Sequence, residues 1–111
     1  MEKLTNYREI IEQLLLAHSR FKSAYGEIDT SISFDRERDR YQLISIGWET
    51  GRRVYGCVIH VDLKGDKIWI QQDGTEVGVA NELVDRGIPS QDIVLGYQTP
   101  NARRRTEFAL G

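Results

Sequence analysis

The sequence is poor in the residues that most often carry covalent or metal chemistry. It has one cysteine, Cys57, and two histidines, His18 and His60, in 111 residues. A single cysteine cannot close an internal disulfide, so a secreted disulfide scaffold is excluded. One cysteine and two scattered histidines give no ligand spacing for zinc. No apolar run approaches the roughly 20 residues that span a bilayer. The N-terminal stretch MEKLTNYREI has no continuous apolar segment of the kind that marks a signal peptide. A soluble cytoplasmic protein is the expectation. A strong basic excess is also missing: 15 basic against 17 acidic residues leave a net charge of -2. That balance argues against general nucleic-acid binding, although a local basic patch is compatible with it.

What is present reads as one domain over residues 1–111. The composition, 40% hydrophobic and 29% charged, is that of an ordinary globular chain. Divided in two, it would leave pieces too small for an adequate core. The first segment has helical period. Leu4, Tyr7, Ile11, Leu14, His18, Phe21 and Tyr25 recur at intervals of three and four, and Ile10 and Leu15 widen the stripe. This spacing predicts a helix over 4–25, stopped at Gly26.

The period then changes to two. IDTSISFD, YQLISIGWE, VYGCVIHVDL and KIWIQQ read as four strands joined by the charged connector DRERDR, the turn TGRR around Gly51, and KGD around Gly65. Connections this short make antiparallel pairs. The helix is expected on the apolar face, over Ile32, Phe34, Ile44, Ile46 and Ile59. DGTEVGVANELVDRG returns to helix with Asp73 or Thr75 as cap, and Gly87 and Pro89 end it. IVLGYQ is a strand or a packed loop. The fold class is α+β: a two-layer domain with an antiparallel sheet of about four or five strands, a long N-terminal helix on one face and a shorter second helix.

Cys57 and His60 stand three apart in VYGCVIHVDL. On a regular strand they point to opposite faces, so they cannot form a nucleophile–base pair. The alternation shows no need for a bulge, and it groups Cys57 with Tyr55, Ile59, Val61 and Leu63 as a small apolar residue. His60 reads as a surface or interface residue, and His18 as a packed helix histidine. Four acids, Asp62, Asp66, Asp73 and Glu76, invite comparison with a magnesium nuclease, with Lys67 nearby. Turn and cap roles account for all four. DGTEVG, with Gly74 and Gly78, is too short and wrongly spaced for a phosphate loop. Asp73, Gly74 and Thr75 therefore mark a structural helix start that can also hold an anion on its N–H groups. The arginines of DRERDR alternate with acids and read as paired or solvated. Arg103, Arg104 and Arg105 form a true like-charge run, followed by apolar Phe108, Ala109 and Leu110.

The sequence resembles the XisI family, the fdxN element excision controlling factors of cyanobacteria, in a likeness carried by the stretch from YQLISIGWE to the C-terminus and covering nearly the whole chain. The resemblance is strongest in RVYGCVIHVDLKGDKIWIQQDGTE, VANELVDRGIP and DIVLGY. It includes the block Trp69, Ile70, Gln71, Asp73, Gly74, Thr75 and Glu76, to which no family role is attached beyond structure. It implies a small cytoplasmic α+β protein without established catalytic residues or cofactor. Such proteins act with a second factor, XisH, which resembles restriction-endonuclease-like proteins. The pair serves the developmentally controlled excision of a DNA element during heterocyst differentiation, and a separate recombinase performs the recombination.

Two function classes remain. In the first, the protein is a non-enzymatic factor that binds a nuclease-like partner, through Arg103, Arg104, Arg105 and Phe108. In the second, it contacts DNA through the same arginines together with Arg52 and Arg53. The competing account of the tail is intramolecular, with Phe108 and Leu110 in a last strand on the domain's own sheet. The sheet edges and the many aromatic residues predict a homodimer.

Overall fold

The computed structural model describes residues 2–20 and 27–111. Helix α1 runs Glu2–Ser19, followed by strands β1 Glu27–Asp35, β2 Arg40–Glu49, β3 Arg52–Lys64 and β4 Lys67–Asp73. Helix α2 (Val79–Asp85), a 3-10 turn (Ser90–Asp92), strand β5 (Ile93–Leu95) and helix α3 (Pro100–Arg103) complete the chain. The sheet order is β1-β2-β3-β4-β5. The first four strands pair antiparallel, as their short connections require. The β2–β3 and β3–β4 turns are two residues long. Thr50 and Gly51 in one, and Gly65 and Asp66 in the other, all have positive φ, which matches the twist of a hairpin.

Helix α1 is as one-sided as its sequence predicts. Tyr7, Ile11, Leu14 and Leu15 are buried against the sheet. Two bidentate arginines tie it to the β1–β2 turn. Arg8 donates to both oxygens of Asp39 at 2.7 and 3.1 Å, and Arg36 donates to those of Glu12 at 2.7 and 2.8 Å. Arg38 pairs with Asp35. The alternating charges of the connector thus fasten the helix layer to the sheet layer. The sequence extended the helix to residue 25; it ends at Ser19, and Phe21, Tyr25 and Gly26 lie outside the described residues.

Three further expectations are corrected. First, the helix-facing row of β2 is Tyr41, Leu43 and Gly47, not Ile44 and Ile46. Second, β3 has a bulge at Val58: Leu43 pairs with Ile59, but Ile44 pairs with Cys57. The extra residue reverses the faces on either side of it. Ile59, Val61 and Leu63 are buried in the core, while Tyr55 and Cys57 turn to the opposite face. Third, the fifth strand is parallel to β4, with Ile68, Trp69 and Ile70 opposite Ile93, Val94 and Leu95. A connection through α2 makes that direction possible.

The acids that pin α1 give the fold an acid limit. Bonding from Arg8, and then from Tyr41, holds Asp39 below the usual carboxylate range against its partial burial. Burial works against the Asp92 carboxylate, yet donors from Tyr7 and Lys3 keep it low as well. Burial, with the Asp92 bond, pushes the Tyr7 phenol up to about 12. For a carboxyl with a depressed folded pKa, the stabilisation is complete above its unfolded value and is lost as pH falls through the folded one. Denaturant midpoints are therefore expected to drop below about pH 4. The drop should be shallower in Asp39→Asn/Asp92→Asn. Equal acid slopes for the two proteins would show that these pairs are not the source.

Candidate functional site

The bulge decides where the chemistry-bearing residues of β3 point. Cys57 and His60, predicted on opposite faces, share the face of the sheet turned away from α1. His60 Nε2 lies 2.8 Å from Asp62 Oδ1, and Gln71 Nε2 reaches Asp62 Oδ2 at 3.4 Å. Gln71, which alternates with Trp69 and is the extra residue of a second bulge, lies on the same side. The Cys57 Sγ–H donates to the Ile59 carbonyl at 3.3 Å. Burial pushes its pKa up, which favours the thiol over the thiolate. Cys57→Ser is expected to leave partner control intact and to change stability by less than about 1 kcal/mol, because a hydroxyl can keep the same bond. Loss of function at unchanged melting temperature would contradict that.

The four acids do not converge. Asp62 is bonded on the outer face, Asp66 sits in the β3–β4 turn, Asp73 points into the loop before α2, and Glu76 is exposed. Among the described residues, no three of His, Cys, Asp and Glu come together as a metal set.

The Asp73–Thr75 segment is a helix start of a specific build. Asp73 Oδ1 accepts from the Thr75 N–H at 2.9 Å and from its hydroxyl at 2.6 Å, and Asp73 Oδ2 accepts from the Val79 N–H at 2.8 Å. Thr75 Oγ1 accepts from the Gly78 N–H at 3.1 Å. The N–H groups of Thr75, Gly78 and Val79 are thus bonded to side chains of the loop itself, and α2 begins only at Val79. Gly74 donates to the carbonyl of the bulge residue Val58 at 2.7 Å, an approach its missing Cβ makes possible. A cleft of about 430 Å³ opens beside this loop, between Val58, Thr75, Thr30 and His18. The His18 Nε2 also lies 2.7 Å from Glu82 Oε2, joining α1 to α2.

The C-terminal segment divides between fold and surface. Arg103 donates to the carbonyls of Leu95 at 3.1 Å, Leu110 at 3.2 Å and Gly96 at 3.4 Å, and its guanidinium lies 5.3 Å from the Trp69 ring centroid. Phe108 packs on the hydrophobic core. Ala109 is buried, bridges to Val94 in parallel, and donates to the Ile93 carbonyl at 2.8 Å. The tail thus continues the sheet past β5, as the intramolecular account holds. Of the four residues predicted to meet a partner, Arg104 and Arg105 remain exposed, and Leu110 is exposed beside them. Sequence reasoning passed over Trp69 as the platform for Arg103. The alternation of KIWIQQ, which sets Trp69 opposite Ile68 and Ile70, was the available signal.

A second surface is the outer face of β1–β3. Ile44, Ile46 and Trp48 from β2 stand beside Tyr55 and Cys57 from β3, on the face opposite the buried Tyr41, Leu43 and Gly47 row. Trp48 is 54% and Tyr55 69% exposed. Basic Arg53 stacks 5.4 Å from the Trp48 ring centroid.

The family model for the XisI protein matches residues 1–110. The fold is similar to a crystal structure of a XisI-like protein from Anabaena variabilis, with a TM-score of 0.89 and 38% identity over 97% of this chain and 99% of that one. It is also similar to the fdxN element excision controlling factor XisI from Anabaena variabilis, with a TM-score of 0.82 and 32% identity over 98% of this chain and 99% of that one. None of the curated proteins matches the chain.

Proposed function

The chain belongs to the XisI family, and on that premise we propose that it is a control factor for excision of a DNA element, acting by binding a protein partner and not by catalysis. The observation that carries this reading is its 32% identity, over 98% of its length, to a protein described as an fdxN element excision controlling factor. The partner is an XisH-like, nuclease-like protein met in the cytoplasm. The surface supports a docking role for the C-terminal segment: Arg104 and Arg105 are exposed, Leu110 is 58% exposed, and the rest of the tail is anchored. An anchored tail presents its charges without the ordering cost of a free one.

Reversing Arg104 and Arg105 together is expected to leave the melting temperature nearly unchanged. It should weaken binding to the neighbouring gene product by at least about tenfold and flatten its salt dependence, because exposed rim charges act through steering. Calorimetry at low and high salt reads both effects. Unaltered affinity at both salts would remove the tail from the interface, and failure of the two proteins to co-purify would end the partner reading. Salt-dependent binding of duplex DNA by this chain alone would replace it with direct DNA contact.

A further inference from the structure

On the outer face of β1–β3, residues stand in rows fixed by strand register. Glu27, Trp48 and Arg53 form one row, Asp29, Ile46 and Tyr55 the next, and Ser31, Ile44 and Cys57 the third. The columns differ in character. The β1 column is acidic, the β2 column is apolar, and the β3 column carries Arg53 level with Glu27. With strands about 4.8 Å apart and alternate residues about 6.8 Å apart, the three rows cover a patch of roughly 14 by 20 Å. That area is about 280 Å², and its apolar part is the β2 column with Tyr55 and Cys57, so it suits a weak, concentration-dependent association and not a permanent dimer.

We propose that this face is a homodimer interface, in which two copies pack sheet against sheet about a two-fold axis running along β2. Rotation about that axis sets β2 over β2 and the β1 column of one copy over the β3 column of the other, at the same row. Trp48, Ile46 and Ile44 then meet their own counterparts. Glu27 of each copy meets Arg53 of the other, so the patch is complementary to itself in both apolarity and charge. Aligned sheets pack about 10 Å apart and about 30° off parallel, which leaves room for the aromatic side chains. A two-fold interface demands this kind of self-matching surface. The acidic β1 column makes the same face a poor fit for DNA phosphate. The inference stands apart from the excision role, since it uses a different surface from the C-terminal arginines.

The test is sedimentation velocity of the full chain from about 1 to about 200 µM, the range suited to a small interface. The wild type is expected to dimerise within it. Glu27→Arg alone, or Arg53→Glu alone, places like charges opposite each other twice per dimer and should raise the dissociation constant at least about tenfold. An equimolar mixture of the two variants restores both opposite-charge contacts, and should recover a heterodimer near wild-type affinity. Both residues are exposed, and Arg53 loses only a surface stack on Trp48, so at concentrations where the wild type is monomeric the two variants should melt within a few degrees of it. A wild type that stays monomeric throughout overturns the proposal. A wild-type dimer whose affinity neither variant alters overturns it too, by placing the interface elsewhere. A mixture that stays monomeric overturns the two-fold arrangement.

Discussion

Gly47→Ala is expected to destabilise the protein by about 3 kcal/mol or more, while Gly56→Ala, in the next row of the same face opposite Ser45, is expected to change stability by less than about 0.5 kcal/mol. Both glycines interrupt strands, and composition alone treats them alike. Gly47 lies on the helix-facing side of β2 opposite Ile28. A Cβ there would stand 2.0 Å from the Glu27 carbonyl oxygen and 2.7 Å from the Ile28 Cα. These are backbone atoms, so no side-chain rotation relieves the overlap. Strand β1 would have to leave its ladder at that end, with the loss of pairing from Glu27 onward. A Cβ at Gly56 meets nothing within 4 Å. Urea midpoints of the two variants measure the contrast directly. Amide exchange should show the Gly47→Ala damage concentrated in β1. Equal midpoints for both variants would mean that β1 is held less closely than its register indicates.

The elements of the fold were legible because period is a local property. Tyr7, Ile11 and Leu14 mark a helix stripe whatever lies beneath it, and four alternating runs joined by tight turns leave little choice but an antiparallel meander. Which face of each strand is buried was less legible. In YQLISIGWE both alternating rows are largely apolar, Tyr41 and Leu43 on one side and Ile44 and Ile46 on the other. Only the docking of α1, set by long-range pairs such as Arg8 with Asp39, decides between them. The bulge at Val58 was hidden for a related reason. An extra residue is visible when it breaks an alternation of polar and apolar, and VYGCVIHVDL has apolar residues on both sides of the break. That one residue moves Cys57 and Tyr55 from the core row to the outer face. It thereby creates the aromatic patch beside Trp48, which no reading of a regular strand contains. The role of Arg103 was illegible in a run of three arginines, because its carbonyl partners Leu95 and Gly96 belong to the segment before α3.

Phe108→Ala is expected to cost about 3 kcal/mol of stability, and to leave affinity for the partner protein unchanged at temperatures where the variant is folded. The ring is half-buried and packs on the same core as α1, β4 and β5. Truncation leaves a cavity under a segment that is otherwise held by a single bridge, Val94 to Ala109, and by the Arg103 bonds. Strand β5 is only three residues long, and all three are buried. Its outer edge is covered by the tail through the Ala109 N–H on the Ile93 carbonyl. Loosening Phe108 therefore exposes an edge strand as well as a cavity, and unpaired edges invite association. Arg103→Ala should act in the same direction, since it frees three carbonyls and uncovers the Trp69 ring. Charge reversal at Arg104 and Arg105 should do the opposite, changing binding and not stability. Thermal melts and calorimetry on the three variants thus separate the part of the tail that closes the fold from the part that faces a partner. If Phe108→Ala melted like the wild type yet bound the partner at least about tenfold more weakly, the ring would have to leave the core on binding, and the tail would be a docking segment along its whole length.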